Sequence, residues 1–137
     1  MVLFWGILIP VQPGLSAMEQ SGAVSTVKIA VAAESNTESS RISDKAGRAP
    51  YYLIFDGTGT FIKAIKNPAQ YKQGGASSSV TALLKKESVK IFIAENFGAK
   101  MENNLKAAGI EYREHTGIAK EVVETIIKNK PSDDEHN

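Results

Sequence analysis

Residues 27–33, VKIAVAA, form the stretch that decides the fold. They are almost all apolar and rich in β-branched side chains, a pattern typical of a strand that is buried on both faces of a sheet. We therefore predict a central strand here. A central strand delivers the segment that follows it to the carboxyl edge of the sheet, where open α/β folds bind ligands. The long polar segment 34–50 is thus the first place to look for function.

The rest of the chain predicts an alternating α/β pattern. Asp56-Gly57 lies between two apolar runs, YYLIF at 51–55 and FIKAI at 61–65, and is a strong hairpin signal. The further predicted elements are a helix capped by Ser77, Ser78 or Ser79 and ending at Lys85-Lys86, a strand at 89–94, a helix at 99–108 stopped by Gly109, a strand that begins over 110–112, and a helix at 118–128 capped by Thr116.

An antiparallel hairpin followed by right-handed β-α-β units predicts a five-stranded mixed sheet with three helices. The predicted strand order is 3-2-1-4-5, with only strand 2 antiparallel to its neighbours. This is a three-layer α/β fold of the ribonuclease H-like architecture.

This topology brings four connections, 34–50, 67–77, 95–99 and 113–117, to one edge of the sheet, which we call the rim. We expect the N-termini of all three helices to open onto the rim, where their free N–H groups favour anions. Basic side chains slightly outnumber acidic ones on these connections; they are Arg41, Lys45, Arg48, Lys72, Lys100 and Arg113. A solvated rim with ordinary mixed charge is the alternative interpretation.

Composition limits the classes of function. The 137 residues suffice for one domain, and a net charge of +1 gives no overall attraction to nucleic acid or to an anionic membrane. The chain has no cysteine, which excludes disulfides, thiolate metal sites, cysteine-ligated iron–sulfur clusters and cysteine nucleophiles.

The two ends of the chain are predicted to lie outside the domain, which we place at 27–130. Residues 1–26 are an N-terminal extension, and its first 17 residues carry no charge. They are either a signal peptide that ends at Ala17 or a segment upstream of a start at Met18. We expect a cytoplasmic protein in the second case and an exported one in the first. The apolar run at 2–9 is too short for a stable membrane span, and 131–137 is predicted to be a flexible tail.

Eight short motifs, in order along the chain, together resemble one known family. They are KIAVA at 28–32, IS at 42–43, GRAPYY at 47–52, NP at 67–68, GGA at 74–76, NFG at 96–98, AAGI at 107–110 and TG at 116–117. Over residues 27–129 the chain is thereby similar to the dinitrogenase iron-molybdenum cofactor biosynthesis family, which includes nitrogenase cofactor carriers and orange proteins.

The resemblance implies a ribonuclease H-like fold and a non-enzymatic protein that binds or carries an anionic cluster of iron-molybdenum or molybdenum-copper type. It also implies a cofactor-assembly or acceptor protein as partner. Members often have His-Phe where this chain has Lys45 and Ala46, and some have histidine where it has residues 71–73. Electrostatic capture is therefore favoured over direct coordination.

The candidate cluster-binding residues are Arg48, Lys45, Lys72, Gly74, Gly75, Ala76, Asn96, Phe97 and Gly98. His115 is the candidate metal ligand, because a neutral imidazole can bind iron or copper. An exposed histidine without a ligand is the alternative.

Three other classes of function are the alternatives to a carrier. A nuclease of this architecture needs several carboxylates, including one on the central strand, and residues 27–33 contain none. Nucleic-acid binding lacks a basic stripe with interleaved aromatic residues. The departures at Lys45, Ala46 and 71–73 leave a metal-free interaction or regulatory module as the alternative to a carrier.

Overall fold

The computed structural model describes residues 27–129. Our predictions for 1–26 and 131–137 lie outside the described residues. The elements are β1 (Lys28–Ala33), β2 (Tyr51–Asp56), β3 (Phe61–Lys66), α1 (Ala76–Lys86), β4 (Val89–Ala94), α2 (Ala99–Ala108), β5 (Glu111–Glu114) and α3 (Ala119–Lys128). None of the helices within residues 27–129 is long and apolar enough to cross a membrane.

The predicted sheet is confirmed. Its order is β3-β2-β1-β4-β5, with β1 at the centre. β2 runs antiparallel to both β1 and β3, whereas β4 is parallel to β1 and to β5. The carboxyl ends of β1, β3, β4 and β5 therefore meet on one rim, as the sequence predicts.

The two faces of the sheet are covered unequally. Ala30 and Ala32 of β1 belong to the core cluster with α1 and α2, whereas Ile29, Val31 and Ala33 belong to the cluster with α3. Residues 29–33 are buried, which explains why β1 is apolar at nearly every position. The last helix, α3, buries Ala119, Val123 and Ile126 against the sheet.

The predicted serine and threonine caps are wrong. α1 begins at Ala76, after Gly75 with a φ of 73°, and α3 begins at Ala119 with Ile118 as its N-cap residue. Glycine adopts this left-handed conformation at low cost, so the chain enters α1 before the serines are reached. The predicted stop at Gly109 is confirmed, with a φ of 74°. β5 begins one residue later than predicted, because the N–H of Ile110 donates to the carbonyl of Leu105 at the end of α2, at 2.9 Å.

Candidate functional site

The polar segment 34–50 closes the N-terminus of α3. The backbone N–H of Ala119 donates to the carbonyl of Ser40 and that of Lys120 to the carbonyl of Glu38, both at 2.9 Å. These carbonyls accept hydrogen bonds from N–H groups that would otherwise face the rim without a partner. Our prediction that all three helix N-termini open onto the rim is therefore wrong for α3.

The same segment also fills the crevice between β1 and β4. The N–H of Ser43 donates to the carbonyl of Ala32 at 2.8 Å, and the N–H of Glu95 donates to the carbonyl of Ser43 at 2.9 Å. Buried Ser40 supports the turn, because its Oγ accepts from the N–H groups of Glu34 at 3.1 Å and Ser35 at 2.9 Å. The main chain of 40–43 thus occupies the place where open sheets usually admit a ligand.

A pocket of about 290 Å³ remains at this place, and it is acidic. Its lining consists of Glu34, Arg41, Ile42, Asp44 and Glu95. The three carboxylates outnumber the one guanidinium, and Lys45 lies 3.8 Å from only one of them, Asp44. This net negative lining disfavours an anion here and leaves the side of α1 and α2 as the better candidate on the rim.

On that side, Asn67 ties two connections together. Its side chain is 4% exposed. Nδ2 donates to the carbonyls of Gly47 at 3.2 Å and Ala49 at 2.9 Å, and Oδ1 accepts from the N–H of Ala69 at 2.8 Å. A single amide thus fixes segment 46–50 against segment 67–70.

Tyr52 completes this buried network from β2. Its hydroxyl donates to the carbonyl of Ala46 at 2.6 Å and accepts from Asn67 Nδ2 at 3.1 Å. Burial raises the pKa of Tyr52 well above its ordinary value. The hydroxyl therefore stays a neutral donor throughout the physiological pH range.

The side chain of Arg48 makes the reverse contact, from segment 46–50 to the connection that follows Asn67. Its NH1 group donates to the carbonyls of Ala69 at 3.4 Å and Gln70 at 3.2 Å, and to the carbonyl of Lys72. The predicted cluster-binding guanidinium is therefore half-buried and bonded to the main chain of the neighbouring connection. Asn67 and Arg48 form a reciprocal clasp, in which each side chain holds the backbone of the other segment.

Lys72 lies over the first turn of α1. Its Nζ donates to the Oγ of Ser79 at 3.0 Å and lies 3.8 Å from where a Cβ on Gly75 would be. The two glycines before the helix, Gly74 and Gly75, have φ values of 84° and 73°. Within residues 27–129 no side chain caps α1, and its first turn has no acidic residue. A cation thus stands at the positive end of a helix dipole without an internal counter-charge.

Segment 44–48 runs between the N-terminus of α1 and the N-terminus of α2. Asn96 Nδ2 donates to the carbonyl of Asp44 at 3.4 Å, and a Cβ on Gly47 would lie 3.1 Å from Cε of Met101 in α2. Lys45 is exposed between them, 3.8 Å from a carboxylate oxygen of Asp44. The structure therefore brings Lys45, Arg48, Lys72 and both glycine-led helix N-termini to one side of the rim.

Phe97 and Ala76, two of the predicted cluster-binding residues, have buried side chains, so they could offer a ligand only their main chain. Phe97 is buried against Phe92 and Tyr112, with ring centroids 5.5 Å and 5.1 Å apart. Ala76 is buried at the start of α1. Gly98 leads into α2 with extended backbone, and a Cβ on it would meet no atom within 4 Å. Gly98, Ala99 and Lys100 are exposed at the start of α2.

His115 lies apart from these cations. Its N–H donates to the carbonyl of Ala94 at 3.0 Å, and the residue lines a groove of about 400 Å³ together with Ile29, Ile91 and Ile126. Ile29, Ile91 and Ile126 belong to the cluster with α3, so the groove lies on the opposite face from α1 and α2. In the part of the chain that is described, no three His, Cys, Asp or Glu side chains are grouped so as to hold a metal ion. A metal at His115 stays a prediction.

Sequence reasoning missed the roles of Asn67, Tyr52, Ser43 and Ser79. Asn67 and Tyr52 belong to the quoted NP and GRAPYY motifs, so the signal that they matter was present in the sequence. The three hydrogen bonds that Asn67 Nδ2 donates join residues 15 to 20 positions apart, and these contacts require the folded chain.

Comparisons with known proteins agree with this fold. The family model described as dinitrogenase iron-molybdenum cofactor matches residues 27–129. The apo form of the orange protein from Desulfovibrio gigas superposes with a TM-score of 0.70 at 23% identity, covering 75% of this chain and 88% of that one. A putative NifB protein from Thermotoga, assigned to the DUF35 family, gives a TM-score of 0.64 at 26% identity, covering 75% of this chain and 89% of that one. A search of curated proteins found no match.

Proposed function

Because the chain belongs to the dinitrogenase iron-molybdenum cofactor family, we propose that it binds and carries an anionic, molybdenum-containing metal cluster and catalyses no reaction. The cluster is of iron-molybdenum or molybdenum-copper type, and the carrier passes it to a cofactor-assembly or acceptor protein. The observation that carries this proposal is the uncapped N-terminus of α1 with Lys72 above it.

The electrostatics of this place support an anionic ligand. A helix N-terminus carries roughly half a positive charge, and placing an ammonium against it costs free energy unless an anion lies nearby. Proteins usually place Asp or Glu in the first turn, but residues 76–79 of this chain are Ala-Ser-Ser-Ser. A bound polyanion would supply the missing negative charge.

The donors on the α1 and α2 side of the rim suit the terminal sulfur and oxygen atoms of such a cluster. Backbone N–H groups at Gly74, Gly75 and Ala76 and those following Asn96 would donate hydrogen bonds to its outer atoms, as oriented main-chain dipoles do in other anion sites. Lys72 and Lys45 add charge-assisted hydrogen bonds. This mode of capture needs no histidine ligand.

A metal-free interaction module is the second candidate function. It is favoured by Tyr71, which is 85% exposed on the same connection as Lys72. Exposed tyrosine is enriched in protein interfaces, so a partner could bind here without any cluster.

The test is an anaerobic titration of the purified chain with tetrathiomolybdate, with and without copper(I), followed by metal analysis and visible absorption. We expect stoichiometric molybdenum and a charge-transfer band. Lys72→Met should weaken binding by about tenfold, the value of one charge-assisted hydrogen bond. Lys106→Met is the matched control, because Lys106 is an exposed lysine in the last turn of α2.

Equal affinity in the two lysine variants would refute the site. A protein that stays colourless and free of molybdenum under every condition would refute the carrier and favour the interaction module.

A further inference from the structure

Arg48 makes its contacts with the protein's own main chain. Its NH1 group has two N–H bonds, and three carbonyl oxygens, those of Ala69, Gln70 and Lys72, share them. We propose that Arg48 is a positioning residue: it clamps segment 69–72, so that the Lys72 ammonium and the N–H groups before α1 are presented to the ligand. The identity of that ligand rests on the proposed function, whereas the clamp does not.

The convergence of the three carbonyls explains why a cation is needed there. Carbonyl oxygens directed at one point repel each other unless a donor with positive charge lies between them. Among the described residues, segment 69–72 has few other bonds: the N–H of Ala69 donates to Asn67 Oδ1 at 2.8 Å, that of Gln70 to the carbonyl of Asn67 at 3.4 Å, and that of Lys72 to the carbonyl of Ala69 at 3.1 Å. Asn67 thus fixes the buried start of the segment, and Arg48 determines which way its exposed end, Tyr71 and Lys72, turns.

The clamp acts on the residue that matters most for the proposed site. The carbonyl of Lys72 is one of the three acceptors, and the side chain of the same residue reaches Ser79 in α1. Fixing the Lys72 backbone lowers the conformational entropy that the lysine would lose on binding an anion. Arg48 thus acts on the anion through Lys72.

The first experiment needs no ligand. Hydrogen exchange of the hydrogen-bonded amides of Gln70 and Lys72 is compared between wild type, Arg48→Met and Lys45→Met. Both variants lose one positive charge from the same segment, but only Arg48 contacts 69–72. We expect exchange in Arg48→Met to be faster by about tenfold or more, since hydrogen bonds from a charged group are lost. Lys45→Met should exchange like wild type.

Arg48→Lys provides a milder change if the methionine variant does not fold. It keeps the charge, but a single ammonium on a shorter stem cannot reproduce the planar guanidinium. Exchange of the Gln70 and Lys72 amides should still be several-fold faster than in wild type. Wild-type exchange in the folded Arg48 variant would overturn the clamp.

The second experiment separates positioning from direct contact by a double-mutant cycle with tetrathiomolybdate. Arg48→Met should weaken binding by about tenfold in wild type but by less than about threefold in a Lys72→Met background, because residues that act through each other are not additive. Lys45→Met, by contrast, should have the same effect in both backgrounds.

The possible failures are distinguishable. Equal effects of Arg48→Met in the two backgrounds would show a direct ligand and overturn the positioning role. Absence of tetrathiomolybdate binding to wild type would overturn the proposed function, and the exchange experiment would still decide whether Arg48 clamps the segment.

Discussion

Replacing Asn67 by alanine should destabilise the domain strongly, although the substitution removes only a small polar group. The amide is buried and donates to Gly47, Ala49 and Tyr52, and its oxygen accepts from Ala69. With two protons for three acceptors, about three hydrogen bonds are lost at roughly 1 kcal/mol each. We expect the free energy of unfolding to fall by about 3 kcal/mol, a large part of the 5–15 kcal/mol typical of a domain.

The assay is urea denaturation followed by circular dichroism, with thermal unfolding as a second measure. A loss of this size should lower Tm by roughly 15 °C for a domain of about 100 residues. Asn67→Asp keeps the shape and the oxygen acceptor but has no N–H donor, so we expect it to lose at least as much as alanine. Asn103→Ala, at an exposed position of α2, is the control and should be close to neutral. A loss below about 1 kcal/mol in Asn67→Ala would refute the role of the clasp.

Two further predictions concern turns. Gly75→Ala should lower the free energy of unfolding by about 1 kcal/mol, because alanine is strained at a φ of 73°. Gly98→Ala should change it little, because Gly98 has a φ of −75° and a Cβ there would meet no atom within 4 Å. Equal midpoints of urea denaturation for the two variants would contradict this. The pKa of Asp56 lies below its ordinary value of 3.8, because the hydroxyl of Thr58 and the N–H groups of Thr58, Gly59 and Thr60 favour the carboxylate. A lowered folded-state pKa contributes stability above 3.8 that is lost as pH falls through the folded value. Asp56→Ala should therefore show a smaller loss of stability on acidification below about pH 4 than wild type, measured by urea midpoints at several pH values.

The sequence predicted the sheet well because the signals for it are local. The apolar run of β1, the Asp56-Gly57 turn and the stop at Gly109 each act within a few residues. Strand order then followed from general rules of handedness and connection.

The serine caps failed for a physical reason that is also visible in the structure. Serine favours a helix N-cap when its hydroxyl has no better partner. Here Ser77 accepts a hydrogen bond from Asn104 at 3.1 Å, and Ser79 accepts one from Lys72 at 3.0 Å. Their hydroxyls serve contacts between segments, and the left-handed glycine before them starts the helix.

The sequence predicted which connections meet on the rim, but it did not predict the contacts that their side chains make. Lys45, Arg48, Lys72 and the glycines do lie on one side of the rim, as their connections implied. That Arg48 bonds to carbonyls 21 to 24 residues away depends on how two connections pack, for which the sequence carries no periodic signal. His115 was assigned to the correct end of β5, but the alternation of side chains along a strand puts it on the face of α3.

The rim of this domain is divided by main-chain hydrogen bonds into two electrostatically different halves. On one half, the carbonyls of Glu38 and Ser40 close the N-terminus of α3, and three carboxylates line the pocket beside β1. On the other half, α1 keeps its first N–H groups free of side-chain caps and holds Lys72 over them. Under the proposed function, an anion would therefore bind beside α1 and not in the usual crevice. The net charge of the whole chain, +1, gives no hint of this asymmetry, because the opposing charges are sorted by the course of segment 34–50.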